Sequence, residues 1–264
     1  MKEKILFYQL PARIGADLLR GLFIGITLVL PGMSGGTALL ITGIYKKFLD
    51  DISSLNFKPY LVILIGAIAG TVFSVFSITS MLENYPHIII SVLLGMLLSS
   101  VYLVLSPLTV SKVKIVHLLY MLPGLGAALL LADEPLAHLP IEPTDSVTLI
   151  FSGGILTSAT MLLPGISGSA ILIMINLYDD LLLFVREWHF WRLALFSAGL
   201  ATGLLLFARM VSYFYSRFFY PVSFLLTGLL IGSSRALIPP SFGWEIPFYV
   251  LGGGLAVILI GRRR

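Results

Sequence analysis

Hydrophobic positions along this chain fall in long runs instead of alternating with polar ones. Residues 59–82, 88–107, 115–132, 191–208, 220–238 and 245–261 each carry at most one charged side chain. Each run is near the ~20 residues that cross ~30 Å of hydrocarbon, so the pattern predicts six crossings. Two further apolar regions, 14–45 and 147–178, are interrupted at their centres. The breaks are Pro31-Gly32-Met33-Ser34-Gly35-Gly36-Thr37 and Pro164-Gly165-Ile166-Ser167-Gly168-Ser169. Proline and glycine clusters end helices, so each region is expected to form two half-length helices meeting at a non-helical turn.

The two broken regions are related. Pro31-Gly32 and Pro164-Gly165 lie 133 positions apart, and the same offset aligns Ser34-Gly35 with Ser167-Gly168 and Tyr45 with Tyr178. Without a gap it also aligns Gly21 with Gly154, Gly66 with Gly199, Gly70 with Gly203 and Gly95 with Gly228. Leucine and glycine matches are cheap in such a composition, but a Pro-Gly-x-Ser-Gly match with a tyrosine at the same distance is not. An internal duplication is expected, with repeat one at about 12–132 and repeat two at about 146–264.

Lysine and arginine favour cytoplasmic loops. Placing Lys2, Lys4, Arg13 and Arg20 inside, and letting 14–45 enter and return on that side, keeps Lys46, Lys47 and Lys58 inside. Three crossings then put Glu83 outside, Lys112 and Lys114 inside, and the acidic stretch from Asp133 to Asp145 outside. The second broken region dips in from the outer face, leaving Asp179, Asp180 and Glu187 external, while Arg209, Arg217 and Arg262-Arg263-Arg264 fall inside. With three crossings per half, the two copies are inverted relative to each other. The expected fold is an all-α polytopic membrane protein, one membrane domain over 1–264, with an inverted internal repeat. Each half is a re-entrant helix hairpin plus three transmembrane helices, and both termini are cytoplasmic.

Composition narrows the chemistry. Of 264 residues, 58% are hydrophobic and 11% charged, too few charges to coat a soluble domain. There is no cysteine, which excludes disulfides, thiolate metal sites and thiol nucleophiles. The four histidines are isolated, so no metal site and no cofactor are expected. The formal charge of +4 sits at membrane edges and does not point to nucleic acid. The N-terminal stretch, interrupted by Arg13, Asp17 and Arg20, does not read as a cleavable signal sequence.

Inverted repeats with broken helices near the midplane are a secondary-transporter architecture. Unsatisfied N–H groups at a helix start make an anion site without a charged side chain. In the first turn Gly35 and Gly36 allow close backbone approach while Ser34 and Thr37 cap or donate hydroxyls. Ser167, Gly168 and Ser169 do the same in the second. The alternative is that both turns are tight corners between packed helices, with small residues chosen for closeness. Arg235, near the outer end of an apolar run, is a candidate phosphate contact or an interfacial anchor. Arg20 is a weaker candidate, expected to pair with Asp17 at the cytoplasmic edge. Arg209 and Arg217 read as inner-surface anchors, His117 and Glu83 as interfacial. Gly66-x-x-x-Gly70 and Gly199-x-x-x-Gly203 read as helix-packing faces.

Together, Arg20-Gly21, Pro31-Gly-Met-Ser-Gly-Gly-Thr37, Gly43-Ile-Tyr45, Leu163-Pro-Gly-Ile-Ser-Gly-Ser169 and Tyr178 resemble the PopT family of polyprenyl-phosphate transporters. The resemblance covers nearly the whole chain. It departs at Thr27-Leu-Val-Leu30, where members often carry an asparagine. The resemblance implies a non-enzymatic flippase of the bacterial cytoplasmic membrane. Such a protein returns undecaprenyl phosphate from the outer to the inner leaflet for reuse in cell-wall and surface-polymer synthesis. The expected partners are the polyprenyl-phosphate lipid and the membrane, with a homodimer as a candidate assembly. Two alternatives are a polyprenyl-diphosphate phosphatase, which would want acids beside the serines, and a small-anion channel or exchanger.

Overall fold

The computed structural model describes residues 2–30, 32–109, 112–132, 146–239 and 243–261. Pro31, the acidic stretch from Asp133 to Asp145 and the terminal Arg262-Arg263-Arg264 lie outside the described residues, as do the side chains of Lys2, Lys4, Arg13 and Glu83. Every element is a helix. In chain order these are α1 (Lys2–Val29), α2 (Gly35–Ile41), α3 (Tyr45–Ser53), α4 (Leu61–Asn84), α5 (Pro86–Leu105), α6 (Ile115–Leu119) and α7 (Met121–Ala132), then α8 (Val147–Leu162), α9 (Gly168–Met174), α10 (Tyr178–Arg186), α11 (Phe190–Arg217), α12 (Phe219–Ser233) and α13 (Ile246–Gly261).

Among the described residues, three helices are long and apolar enough to cross a membrane: Lys58–Leu82, Pro86–Leu105 and Phe190–Arg217. The stretches Ile115–Leu131, Val147–Leu162 and Ile246–Leu259 are apolar but shorter. Such a set fits a membrane protein. The expected half-length helices differ from what forms. The first arm is a continuous helix of 28 residues, and its counterpart α8 has 16, about 24 Å at 1.5 Å per residue. The return arms are only 7 residues each. Left-handed residues stop them. Gly43 (φ 75°) follows α2 and Asn176 (φ 54°) follows α9, each two positions beyond its helix, where glycine and asparagine terminate helices at least cost. The chain then turns, and α9 meets α10 at 102°.

All six left-handed residues described fall into pairs 133 positions apart: Gly32 with Gly165, Gly43 with Asn176, and Leu55 with Trp188. The helix packing keeps the same register. α1 lies along α4 and α8 along α11, while α5 lies along α13 and α7 along α12. Glycine makes these approaches possible. A Cβ on Gly21 would sit 2.1 Å from the Ile63 carbonyl oxygen, and one on Gly154 would sit 2.4 Å from that of Phe196. On Gly70 it would meet Leu22 O at 2.2 Å, and on Gly203 Ile155 O at 2.6 Å. The glycine pairs read from the sequence are therefore packing faces.

The last helix departs from the register. Gly95 packs on Val250 and Gly228 on Met121, while Gly124 packs on Leu225 and Gly253 on Val92. Positions 92 and 225 keep the 133 offset, but Met121 matches Val250 and Gly124 matches Gly253 at 129, a slip of four residues that an ungapped comparison misses.

The side chains suit lipid surroundings. Phe76, Ile68, Leu130 and Leu251 are exposed on the outer surface. Many hydroxyls within helices donate back to carbonyls of their own helix, as Ser100 does to Met96 (2.8 Å) and Thr227 to Ser223 (2.8 Å), and Thr71 and Ser74 donate from α4 to carbonyls of α1, so they need no water. No buried side-chain polar atom among the described residues lacks a partner.

The packing of the two halves also differs around α3 and its counterpart α10. Tyr45, Leu49 and Ile52 of α3 join the main core, and α3 lies against α11. There Ser212 and Lys46 both bond Asp50, and Arg209 Nε donates to the Ser53 carbonyl at 3.1 Å. α10 makes no such contact with α4; its Phe184 belongs to a separate small cluster with Ile150, Leu172 and Leu177.

Candidate functional site

The two Pro-Gly turns meet. Ser34 is the N-cap of α2, its hydroxyl accepting from Thr37 N at 3.2 Å. The same oxygen lies 3.0 Å from Thr37 Oγ1, donates to the Leu163 carbonyl at 3.1 Å and accepts from Gly165 N at 3.1 Å. Gly165 N also donates to Thr37 Oγ1 at 3.0 Å. Tyr45, at the start of α3, donates its hydroxyl to the Leu162 carbonyl at 3.1 Å. Gly36 completes the joint, since a Cβ there would stand 2.5 Å from Leu162 O.

The turns also rest on the end of α12. A Cβ on Gly32 would meet Leu237 at 2.7 Å, and one on Gly165 would meet Ser233 Oγ at 2.5 Å. Between those contacts runs the 3-10 turn Ser234–Leu237 that carries Arg235. Arg235 therefore lies on a short turn that packs on the first break through Leu237 and follows directly on Ser233, which packs on the second.

The second turn is not a copy of the first. Ser167 occupies the N-cap of α9 but makes no side-chain cap bond; its hydroxyl pairs with Ser169 Oγ at 2.6 Å. Ser167, Gly168 and Ser169 are half-buried, whereas Ser34 and Thr37 are buried. Of the sequence candidates, Ser34, Gly36 and Thr37 are brought onto the second turn, at Leu162, Leu163 and Gly165; Ser167, Gly168 and Ser169 lie just beyond those contacts, and no Cα of α9 comes within 8 Å of one in α2. Gly35 faces away from the joint, with Met161 O 3.5 Å from its Cβ position. Arg20 is not at the joint. It bonds Asp17 at 2.7 Å, nine residues before the end of α1, or roughly 13 Å by helical rise.

A family model described as undecaprenyl phosphate translocase-like matches residues 24–246. The chain belongs to that family. It is 32% identical to the polyprenyl-phosphate transporter of Vibrio cholerae over 250 residues, covering 86% of this chain and 79% of the relative. It is also 27% identical to the polyprenyl-phosphate transporter of Staphylococcus aureus over 242 residues, covering 84% and 86%. No solved structure matches. The family and both relatives are transporters by description, which sets the phosphatase alternative aside.

Sequence reasoning missed the donors and acceptors of the joint that are not hydroxyls: Gly165 N–H and the Leu162 and Leu163 carbonyls. It also gave Tyr45 no role, although its recurrence as Tyr178 was the available signal. His117 stacks on Tyr220, with ring centroids 5.3 Å apart, and accepts from Lys114 N at 2.9 Å. Among the described residues no cluster of His, Asp or Glu could hold a metal.

Proposed function

We propose that this protein carries polyprenyl phosphate, as undecaprenyl phosphate, from the outer to the inner leaflet of a bacterial cytoplasmic membrane, returning the carrier lipid to cell-wall and surface-polymer synthesis. One observation carries the reading: two broken-helix turns, 133 positions apart, meet through main-chain and hydroxyl groups inside an apolar bundle. A phosphate monoester cannot cross hydrocarbon unaided, because moving an ion into low dielectric costs on the order of 20 kcal/mol in the Born limit. Donors held at the turns offset that cost for the headgroup while the tail stays in lipid.

In this reading the halves form an inverted repeat, each with a re-entrant hairpin, and both termini face the cytoplasm. Arg235 meets the phosphate first, since it lies between the residues, Ser233 and Leu237, that pack on the two breaks. Ser167, Ser169 and the first turn of α9 bind next, being half-buried and bonded to each other. Ser34 and Thr37 engage last, when the turns part and Gly165 N–H exchanges hydroxyl oxygens for phosphate oxygens. The docking of α3 on α11 alternates with docking of α10 on α4, as alternating access between repeats requires.

The test is outer-to-inner movement of a labelled prenyl phosphate in proteoliposomes. Ser167→Ala with Ser169→Ala, and Arg235→Ala, are expected to slow it at least tenfold, with Arg235→Lys recovering part of the rate. Full transport by all of them at normal incorporation would refute these site assignments.

A further inference from the structure

Apart from α2 and α3, little joins the two long helix pairs. No Cα of α1 or α4 lies within 8 Å of one in α8 or α11. Between the pairs is a cavity of ≈ 390 Å³ lined by α1, α2, α3, α4, α8 and α11. Ile24, Leu28 and Leu39 form one side, Ile63 and Ala67 another, and Leu200, Ala201 and Leu204 the facing wall. The only polar groups at its edge are already used. Ser158 donates to its own helix at Ile155 O (2.8 Å), and Tyr60 donates its hydroxyl to Asp51. Such a space offers water nothing and stays dry.

Three features distinguish this cleft from a packing defect. Leu64, Leu28 and Met161 on its rim are exposed, so it opens sideways to the bilayer. It reaches the joint, because Leu162, whose carbonyl accepts from the Tyr45 hydroxyl, lines it together with Gly35. And Gly35 has no packing reason to be glycine. A Cβ there would meet Met161 O at 3.5 Å and Leu28 Cδ2 at 3.7 Å, ordinary contacts, whereas one on the adjacent Gly36 would collide with backbone at 2.5 Å. The missing side chain leaves room in the cleft and nowhere else.

We infer that this cleft seats the phosphate-proximal isoprene units of the transported lipid, with the headgroup held beside it at the turns. The assignment rests on the polyprenyl-phosphate reading above and adds a tail subsite to it. Lipid hydrocarbon is as apolar as the cleft, so the seat gains little from desolvation. Its work is to hold the first isoprenes in one direction, which aims the phosphate at Ser34, Thr37 and the second turn and reduces the ordering cost of binding.

The experiment compares binding of undecaprenyl phosphate, and of a two-isoprene phosphate too short to fill the cleft, to the full chain in phospholipid nanodiscs. Ala201→Trp fills the cleft from the exposed face of α11, and Leu204→Trp is the second variant. Thermal unfolding checks that each remains folded. The wild type is expected to bind the long lipid more tightly. Either tryptophan is expected to weaken the long lipid about tenfold, or about 1.4 kcal/mol, and the short one less than about twofold. Equal wild-type affinity for both lipids overturns the seat and leaves the transporter reading intact, as does equal weakening of both by a folded variant or no weakening of either. Competition by phosphatidylglycerol at equal molar potency also overturns it, by making the cleft a general lipid seat. A wild type that binds neither prenyl phosphate overturns the seat and the transporter reading together.

Discussion

The joint between the turns predicts opposite outcomes at two neighbouring glycines. At Gly36 an alanine Cβ would lie 2.5 Å from Leu162 O, 2.9 Å from Pro164 N and 3.0 Å from Leu162 C. All three are backbone atoms of the other turn and cannot rotate away. Reaching ordinary contact requires the turns to separate by roughly 1 Å. That stretches the three Ser34 and Thr37 bonds to the second turn, now 3.0–3.1 Å, to about 4 Å, beyond hydrogen-bonding range. At about 0.5–1.5 kcal/mol net for each bond, the loss is ~2–4 kcal/mol. A Gly-to-Ala gain in helix propensity of at most ~1 kcal/mol offsets part of it. Gly35→Ala keeps the propensity gain without the collision.

Thermal unfolding of both variants in the same detergent measures this. Gly36→Ala is expected to melt several degrees below wild type and Gly35→Ala at or slightly above it. Equal melting temperatures for the two would refute the joint, because the contacts with the second turn are what separates the adjacent positions.

Further outcomes follow from the packing. Gly199→Ala puts a Cβ 2.2 Å from Phe151 O, backbone against backbone along the whole α8–α11 contact, and is expected to reduce folded yield severalfold, read by size-exclusion recovery. Ser53→Cys with Arg209→Cys, at positions joined by the Arg209 Nε bond to the Ser53 main-chain carbonyl, is expected to cross-link at rest through a short bifunctional thiol reagent that spans the length of the lost arginine. Phe76→Cys with Arg186→Cys, the positions 133 away in each case, is expected to cross-link only during turnover with prenyl phosphate. A cross-link at rest, or none in turnover, would contradict alternation. In α3, the Lys47 ammonium bonded to Asp51 holds that carboxyl below the usual carboxylate range, helped by hydrogen bonds from Tyr60 and Asn56. A carboxylate lowered in the folded state contributes stability above its unfolded value and loses it as pH falls through the folded one. Acid unfolding is therefore expected to flatten in Asp51→Asn, measured by melting temperature against pH.

Much of the fold was legible because the sequence carries its pattern of breaks and glycines twice, 133 positions apart. Pro31 and Pro164 marked the breaks, and the spaced glycines marked faces that do carry backbone contacts. The length of α1 was not legible. Arg13, Asp17 and Arg20 look like the end of a membrane segment, but a helix continues wherever its hydrogen bonds do, whatever the polarity of its side chains. The shortness of α2 and α9 could have been read from Gly43, but Asn176 hides the equivalence by reaching the left-handed region with a different residue. The four-residue slip before α13 hid the match of Gly124 with Gly253. In the site, serine and glycine spacing located the turns. It could not tell which hydroxyl faces its own helix and which faces the other turn, because that depends on contacts 128–131 residues apart in sequence.

If the turns hold a phosphate headgroup, as proposed, the division of labour between them lets the site stand empty in a bilayer. A donor at membrane depth without an acceptor costs several kcal/mol, so a phosphate site built from bare N–H groups would destabilise the unloaded protein. Here the Gly165 amide is covered by two hydroxyl oxygens, Ser34 Oγ and Thr37 Oγ1. A hydroxyl can accept from an amide and, after rotation, donate to a phosphate oxygen. In the proposed cycle, arrival of the headgroup gives the Gly165 amide a phosphate oxygen as acceptor and frees both hydroxyls to donate to the phosphate, with Ser34 giving up the Leu163 carbonyl in exchange. Lysine or arginine at these positions could not do this, having no lone pair to cover the amide while the site is empty. Ser34→Ala should accordingly damage the empty protein as well as the loaded one, whereas loss of Ser167, whose hydroxyl is bonded only locally to Ser169, should affect transport while leaving the melting temperature unchanged.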